Sequence, residues 1–304
     1  MKLVTFAPTS NSSAPTSNSF APKGAPSDLR VGILRGDLVF DLKTLSPQLP
    51  SDMIGFLAAG KPALDIAAQT VQTAHVKQGI SLSSVRLVAP IPRPGKIMCI
   101  GLNYRDHAKE SNQPIPEFPT LFAKYSSCVI GPGEPIVIPA LTDKIDYEVE
   151  LAVIIGRQAR HVSEADALNY VAGYVPFNDV SARDYQMRTS QWTIGKTFDT
   201  FGPMGPAITT ADEVPDPQSL AISLSIGGEV LQHSNTRELV FTVQQLISVL
   251  SGVMTLEPGD VISTGTPSGV GAARNPKRWI KAGDVVRIEI EKLGVLSNPV
   301  VNEA

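Results

Sequence analysis

Apolar and polar residues along this chain alternate in short blocks, not in long helical faces. β-Branched and other apolar runs at Ile97 to Ile100, Pro135 to Ile138, Val149 to Ile155, Ala172 to Phe177, Ala221 to Ile226, Asp260 to Thr264 and Val285 to Ile290 predict strands. Proline and glycine turns separate them. Helical spacing is clearest at Glu164 to Tyr170 and at Thr242 to Leu250. Near the amino terminus, Lys2 to Phe6 reads as a strand, and Arg30 to Leu34 with Asp37 to Leu42 reads as a hairpin able to pair with it. Ser51 to about Lys77 has helical character, with Met53, Phe56, Leu57, Leu64, Ile66 and Val71 on its packed faces and interruptions at Gly60 and Pro62. The pattern predicts an α+β, mainly β protein of mixed architecture and not a doubly wound sheet.

The proline-stiffened stretch from Val88 to Lys96 is the expected boundary between a small amino-terminal α+β domain, residues 1–87, and a main domain, residues 88–304. A Ser/Pro/Asn-rich tract near residues 8–27, with Ala-Pro-Thr-Ser-Asn-Ser repeated, reads as a flexible loop inserted into the smaller domain.

One predicted strand carries unusual chemistry. In Asp146-Tyr147-Glu148-Val149-Glu150-Leu151, three acidic side chains fall on one face. Adjacent like charges are costly unless a cation or hydrogen-bond donors compensate them, and the run beyond Leu151 is too apolar for a solvated edge. Asp179 closes the next apolar segment. Glu148, Glu150 and Asp179 together form an all-oxygen donor set suited to Mg²⁺, with Mn²⁺ or Ca²⁺ as substitutes, and three protein ligands leave room for water and substrate oxygens. The Glu-x-Glu spacing alone would favour the polar face of a half-exposed strand, so the weight rests on its companions.

Those companions are spread along the chain. His107 and Glu110 lie three residues apart at the start of an expected short helix, where a carboxylate beside imidazole fixes its tautomer and raises its basicity. Such a pair activates water or abstracts a carbon-bound proton. Lys196, in Gly-Lys-Thr-Phe-Asp, is positioned to neutralise a carboxylate or a developing enolate. Arg183 and Gln186 follow Asp179 at helical spacing, and Thr266 sits in the glycine turn Thr264 to Gly271. With Tyr104, these three are the candidate substrate-binding residues. Ser111 to Pro119 is a proline-rich segment suited to a lid. Taken alone, the His107–Glu110 pair and Lys196 read more readily as surface residues, Arg183 could be a structural partner of Asp179 or Asp184, and the segments at Ser111 to Pro119 and Thr264 to Gly271 are compatible with ordinary loops.

Composition narrows the classes. The chain has 304 residues, is 42% hydrophobic and carries a net charge of −3, so it can bury a full core and offers no basic footprint for nucleic acid. No apolar run is long enough for a membrane helix. Two cysteines, Cys99 and Cys128, read as buried thiols and not as a disulfide, and the histidines, His75, His107, His161 and His233, are too scattered for a zinc site. The first 27 residues partly imitate a mitochondrial presequence but lack arginine, so the cytoplasm is the expected compartment and the mitochondrion the alternative.

Asn-Tyr-x-Asp-His-x-x-Glu, Glu-x-Glu-Leu-Ala, Asp-Val-Ser-Ala-Arg-Asp, Gly-Lys-Thr-Phe-Asp and Thr-Gly-Thr-Pro-x-Gly-Val-Gly occur in this order, and with them the chain resembles the fumarylacetoacetate hydrolase family over about residues 88 to 301. Residues 179–188 and 191–201 resemble the domain-containing protein 2 branch most closely. The resemblance implies a mixed β-sandwich roll, a homodimer, Mg²⁺ on Glu148, Glu150 and Asp179, and a small 2-oxo or 1,3-dicarbonyl acid as substrate. Its leading implication is carbon–carbon bond hydrolysis of an acylpyruvate type through a metal-stabilised enolate. The alternatives are an oxaloacetate keto–enol tautomerase or decarboxylase on the same site, and, outside catalysis, a silent metal-dependent ligand-binding protein.

Overall fold

The apolar runs fold as ladders, and two of them, Val149–Ile155 and Val171–Asn178, lie at the centre with every residue buried. They pair antiparallel from Val149 opposite Asn178 to Ile155 opposite Val171. The computed structural model describes residues 1–8 and 28–304; apart from Pro8, the inserted Ser/Pro/Asn tract lies outside the described residues.

An eleven-stranded sheet runs in the order Ile80–Ser81, Leu38–Asp41, Arg30–Arg35, Lys2–Pro8, Ile208–Thr210, Val171–Asn178, Val149–Ile155, Val261–Ser263, Ile97–Gly101 and Thr120–Lys124, with Val85–Val88 paired to Lys2–Pro8 off this path. A five-stranded sheet joins Glu229–Asn235, Ala221–Ile226, Val285–Ile290, Gly294–Asn302 and Ile136–Ile138. This is an α+β, mainly β fold. The amino-terminal strands extend the main sheet through Lys2 opposite Thr209 and Leu3 opposite Ile208. One buried cluster accordingly combines Leu3, Phe40, Phe56 and Val71 with Ala152, Val175 and Phe177.

The helix Val243–Val253 buries Val243, Leu246, Ile247 and Leu250, a 3–4 spacing that makes one apolar face. Thr242 and Gln245 close its amino end as a reciprocal capping box. Met53–Ala58 and Gly60–Thr73 break where Gly60 takes φ +68°, as the interruption in the sequence predicts. The expected helix from Glu164 to Tyr170 is not formed. Ser163 Oγ donates to Asp166 Oδ2 and accepts from its amide, which holds a turn; only a 3₁₀ turn, Ala167–Tyr170, follows before the central strand begins at Val171. Cys99 and Cys128 are buried and unpaired, as expected, and burial raises the Cys128 thiol to about 11.

Candidate active site

The chain breaks its strand between Ile145–Asp146 and Val149–Ile155, and this break places the acidic residues. Asn178, at the end of the neighbouring strand, accepts the Glu148 amide through Oδ1 at 3.0 Å. The Asp179 amide donates to the Glu148 carbonyl at 3.0 Å, which seats Asp179 beside it. Glu148, Glu150 and Asp179 are all buried, and they bring ligand oxygens within 4.8 Å of one another. The structure thus joins the three residues read as metal ligands.

Asp146 does not join them. Its carboxylate turns away to accept the amides of Gly271 at 2.7 Å and Ala272 at 2.9 Å, together with Arg183 Nε at 2.8 Å. The strand break after Asp146 is why an even spacing does not produce a common face. Arg183 has every guanidinium nitrogen engaged inside the protein: Nε on Asp146, one terminal nitrogen 2.6 Å from Glu148 Oε1, and the other donating to Gln186 Oε1 at 2.9 Å.

Lys196 is 2% exposed, and its Nζ donates to Glu148 Oε2 at 2.7 Å and Asp179 Oδ2 at 2.8 Å. Burial alone would depress this ammonium, but Asp179 and Glu148 outweigh burial and hold its pKa above the ordinary value. For Glu148, burial pushes upward while Lys196 and Arg183 pull harder, leaving it at about 2, with a smaller contribution from His107. Glu150 differs. Burial, then Asp179 and Glu148, drive it well above the usual carboxylate range, although Ser263 Oγ and the Gly265 amide both donate to its Oε2, at 2.5 and 3.0 Å.

That contrast tests whether the site fits a metal. Among the described residues, four buried carboxylates, Asp146 included, face three cations, Lys124, Lys196 and Arg183, and the residual negative charge falls on Glu150. A hard divalent cation among three oxygen donors supplies the missing charge, so the donor set fits.

His107 and Glu110 sit on the helix Arg105–Glu110, with His107 Nδ1 3.2 Å from Glu110 Oε2. Glu110 Oε1 also accepts the Gly269 amide at 2.9 Å, so one carboxylate links the imidazole to the glycine turn. Asn103 fixes the same region by donating to the carbonyls of Thr264 and Phe241 and accepting the Phe241 amide. Gly265 and Gly269 take φ near +102°, and a Cβ at Gly269 would lie 2.1 Å from the Leu231 carbonyl oxygen, so the turn needs glycine there. Thr266 Oγ1 accepts from Gln232 Nε2 at 2.9 Å, and Gln232 Oε1 holds the Val149 amide beside Glu150. Tyr104 has no exposed surface and its hydroxyl has no hydrogen-bond partner among the described residues; burial and the nearby Glu150 raise the phenol well above its ordinary value. Ser111 to Pro119 runs mostly exposed beside the His107 helix, with Ile115 and Phe118 facing solvent.

Sequence reasoning missed Lys124, whose side chain is fully buried with Nζ 2.7 Å from Asp179 Oδ1. Its signal was its register: in Thr-Leu-Phe-Ala-Lys, Phe122 and Lys124 share the inward face. Asp106 was also missed; it accepts Ser234 Oγ at 2.8 Å and braces the His107 helix against the second sheet.

The family model for the fumarylacetoacetate (FAA) hydrolase C-terminal domain matches residues 96–301. The chain is 46% identical over 267 residues to a rat protein named oxaloacetate tautomerase Fahd2a, mitochondrial, covering 88% of this chain and 85% of that one. It is 46% identical over 268 residues to the human oxaloacetate tautomerase FAHD2A, mitochondrial, with the same coverage of 88% and 85%. Among solved structures, maleylpyruvate hydrolase from Sphingobium sp. SYK-6, in complex with manganese(II) ion and pyruvate, superposes with a TM-score of 0.80 at 31% identity, covering 100% of both chains. Among the described residues, no helix is long and apolar enough to cross a membrane.

Proposed function

The chain belongs to the fumarylacetoacetate hydrolase family, and from that premise we propose that it is a divalent-metal-dependent oxaloacetate keto–enol tautomerase. The observation that carries this reading is the buried triad Glu148, Glu150 and Asp179 with the Lys196 ammonium lying across two of its members. Two 46%-identical relatives named as oxaloacetate tautomerases support tautomerisation over the carbon–carbon hydrolysis that the sequence led us to expect.

Glu148, Glu150 and Asp179 would hold Mg²⁺, or Mn²⁺ in its place, and that cation would supply Lewis-acid stabilisation to the oxygens of a 2-oxo acid. Lys196 has three donors and places two on carboxylates, so one N–H remains for a developing enolate oxygen. With Glu110 accepting the proton on Nδ1, the free His107 nitrogen is Nε2, which takes the C3 proton from the keto form or returns it to the enol. Glu110 fixes the tautomer and the direction of the ring. Gln186 and Thr266, both buried polar side chains, are our proposed substrate contacts. Arg183 and Tyr104 act from behind them, the former by holding Glu148 and Gln186 in place.

A second reading is hydrolysis of an acylpyruvate-type acid, favoured by the His107–Glu110 pair and by the maleylpyruvate hydrolase likeness. The two readings share the enolate and differ in whether a positioned water attacks the distal carbonyl. Time-resolved proton NMR of Mg²⁺-loaded protein with enol-oxaloacetate and an acylpyruvate separates them. Faster enol-to-keto conversion without cleavage supports the tautomerase; release of pyruvate and an acid from the acylpyruvate, without that acceleration, replaces it with the hydrolase, and CO₂ release points to decarboxylation.

The homodimer belongs to the same proposal and is tested by light scattering on the eluting protein. The relatives named as mitochondrial favour that compartment over the cytoplasm, and fractionation of cells expressing the full chain decides it.

A further inference from the structure

Lys124 is an ammonium that none of the proposed proton or metal chemistry uses. It ends the strand Thr120–Lys124 at the edge of the main sheet, and its side chain has no exposed surface. Burying such a charge is costly unless every donor finds an acceptor. Here all three do: Asp179 Oδ1 at 2.7 Å, the Val180 carbonyl at 3.1 Å, and the backbone carbonyl of Lys196.

The third contact reaches the other side of the site. Lys196 closes the short helix Thr193–Lys196, whose last carbonyls need partners, and Lys124 supplies one of them. The Lys196 ammonium holds the second oxygen of Asp179. Asp179 is therefore clamped between two ammonium groups, and one of these also anchors the main chain of the other. The same strand steadies the Lys196 side chain: its Nζ lies 5.0 Å from the centre of the Phe122 ring, and Trp192 packs edge-on against that ring at 5.5 Å.

We propose that Lys124 is a positioning residue that sets the distance and angle between the Asp179 carboxylate and the Lys196 ammonium. Its role is to keep one carboxylate oxygen and one N–H donor at fixed spacing, so that a metal-held anion meets Lys196 without rearrangement. The proposal rests on the functional reading in which Lys196 stabilises the enolate.

The test uses the full chain as wild type, Lys124→Met, Lys124→Gln and Lys124→Arg. Mn²⁺ affinity is measured by calorimetry, followed by oxalate affinity of the Mn²⁺-loaded proteins and turnover of enol-oxaloacetate. Oxalate, a planar dianion, stands in for the enolised 2-oxo acid. Expected are losses of about 10–100-fold in oxalate affinity and turnover for Met and Gln, the range for removal of outer partners at metal sites. Mn²⁺ affinity should be retained or tighter, because a like charge has left, and Arg should recover more than Gln. If Lys124→Met does not fold, the Gln and Arg variants carry the comparison.

Unchanged oxalate affinity in Lys124→Gln overturns the inference, as does a parallel loss of Mn²⁺ binding, which would make Lys124 a support for the metal site alone. Wild-type protein that binds Mn²⁺ but neither binds oxalate nor acts on a dicarbonyl acid defeats the functional reading instead. The Lys124 inference is then decided by a crystal structure of Lys124→Gln: an Lys196 ammonium displaced from Asp179 upholds it, and an unmoved one overturns it.

Discussion

Arg183 Nε donates to Asp146 Oδ2 at 2.8 Å, and through this bond a carboxylate outside the metal triad decides where the triad's own arginine points. The Asp146 oxygens also accept the amides of Gly271 and Ala272, so one side chain ties the glycine turn to the arginine that touches Glu148. Asp146→Asn keeps the shape but replaces one acceptor with an NH₂ group facing a guanidinium or an amide. We expect a loss of about 3–5 kcal/mol, the range for breaking a buried pair from one side. Denaturant unfolding with and without Mg²⁺ measures it, and an unchanged midpoint would show that water replaces the lost bonds.

Glu150 gives the metal site a pH signature. Burial, followed by the charges of Asp179 and Glu148, raises its pKa, so the folded metal-free protein holds a proton there that the unfolded chain releases in the ordinary carboxylate range. Its contribution to stability is full below that range and is lost as pH rises through the folded value. Glu148, held at about 2, behaves oppositely: its contribution is present above the ordinary range and is lost as pH falls toward 2. A divalent cation must displace the Glu150 proton, so its stabilising effect grows with pH. The rise in melting temperature on adding Mg²⁺ is expected to be larger at pH 8 than at pH 5, and Glu148→Ala and Glu150→Ala should each abolish both the rise and turnover. A metal effect independent of pH would refute the Glu150 assignment.

Gly195 offers a test of how tightly Lys196 is placed. A Cβ there would lie 2.3 Å from the Gln186 amide nitrogen and 2.7 Å from the Ala182 carbonyl oxygen, backbone atoms that cannot swing aside. We expect Gly195→Ala to cost about 1–3 kcal/mol as overpacking and to lower turnover by shifting Lys196. Gly252→Ala is the contrast: it lies in the helix Val243–Val253 with no atom of the described residues within 4 Å of its Cβ, and should be neutral or stabilise by about 0.4–1 kcal/mol. Equal melting temperatures for the two variants would show that the helices around Gly195 yield.

The acidic triad was legible in the sequence because Glu148 and Glu150 are two residues apart at the start of one apolar strand and Asp179 closes the next. The role of Asp146 was not, since the break at Tyr147 depends on Gly271 and Ala272, more than a hundred residues away. For Lys124 the register with Phe122 was too weak a signal for a related reason: an edge-strand lysine normally reaches solvent, and only the fold brings Asp179 and the end of the Lys196 helix over it. Sheet order has the same limit. The pairing of Lys2 with Thr209 joins the first strand to one far along the chain without any local signal. The apolar periodicity between Glu164 and Tyr170 misled because Ser163 and Asp166 satisfy the backbone locally, and a turn then competes successfully with a helix.

The His107–Glu110 pair carries the sharpest mechanistic expectation, because its two members can be separated. His107→Ala removes the nitrogen that moves the C3 proton and should lower turnover by about 10²–10⁴-fold, the usual contribution of a general acid–base. Its side chain is not a metal ligand, so Mn²⁺ affinity should stay near that of the wild type. Glu110→Gln keeps an oxygen for the Gly269 amide, so the glycine turn survives, but its NH₂ then faces His107 Nδ1 and no longer accepts the proton there. The expected result is a smaller loss of turnover than in His107→Ala. Steady-state rates from pH 5 to 9 for the three proteins make the comparison. A His107→Ala variant with wild-type turnover would remove the imidazole from the proton transfer, and wild-type turnover in Glu110→Gln would reduce Glu110 to an anchor for the turn.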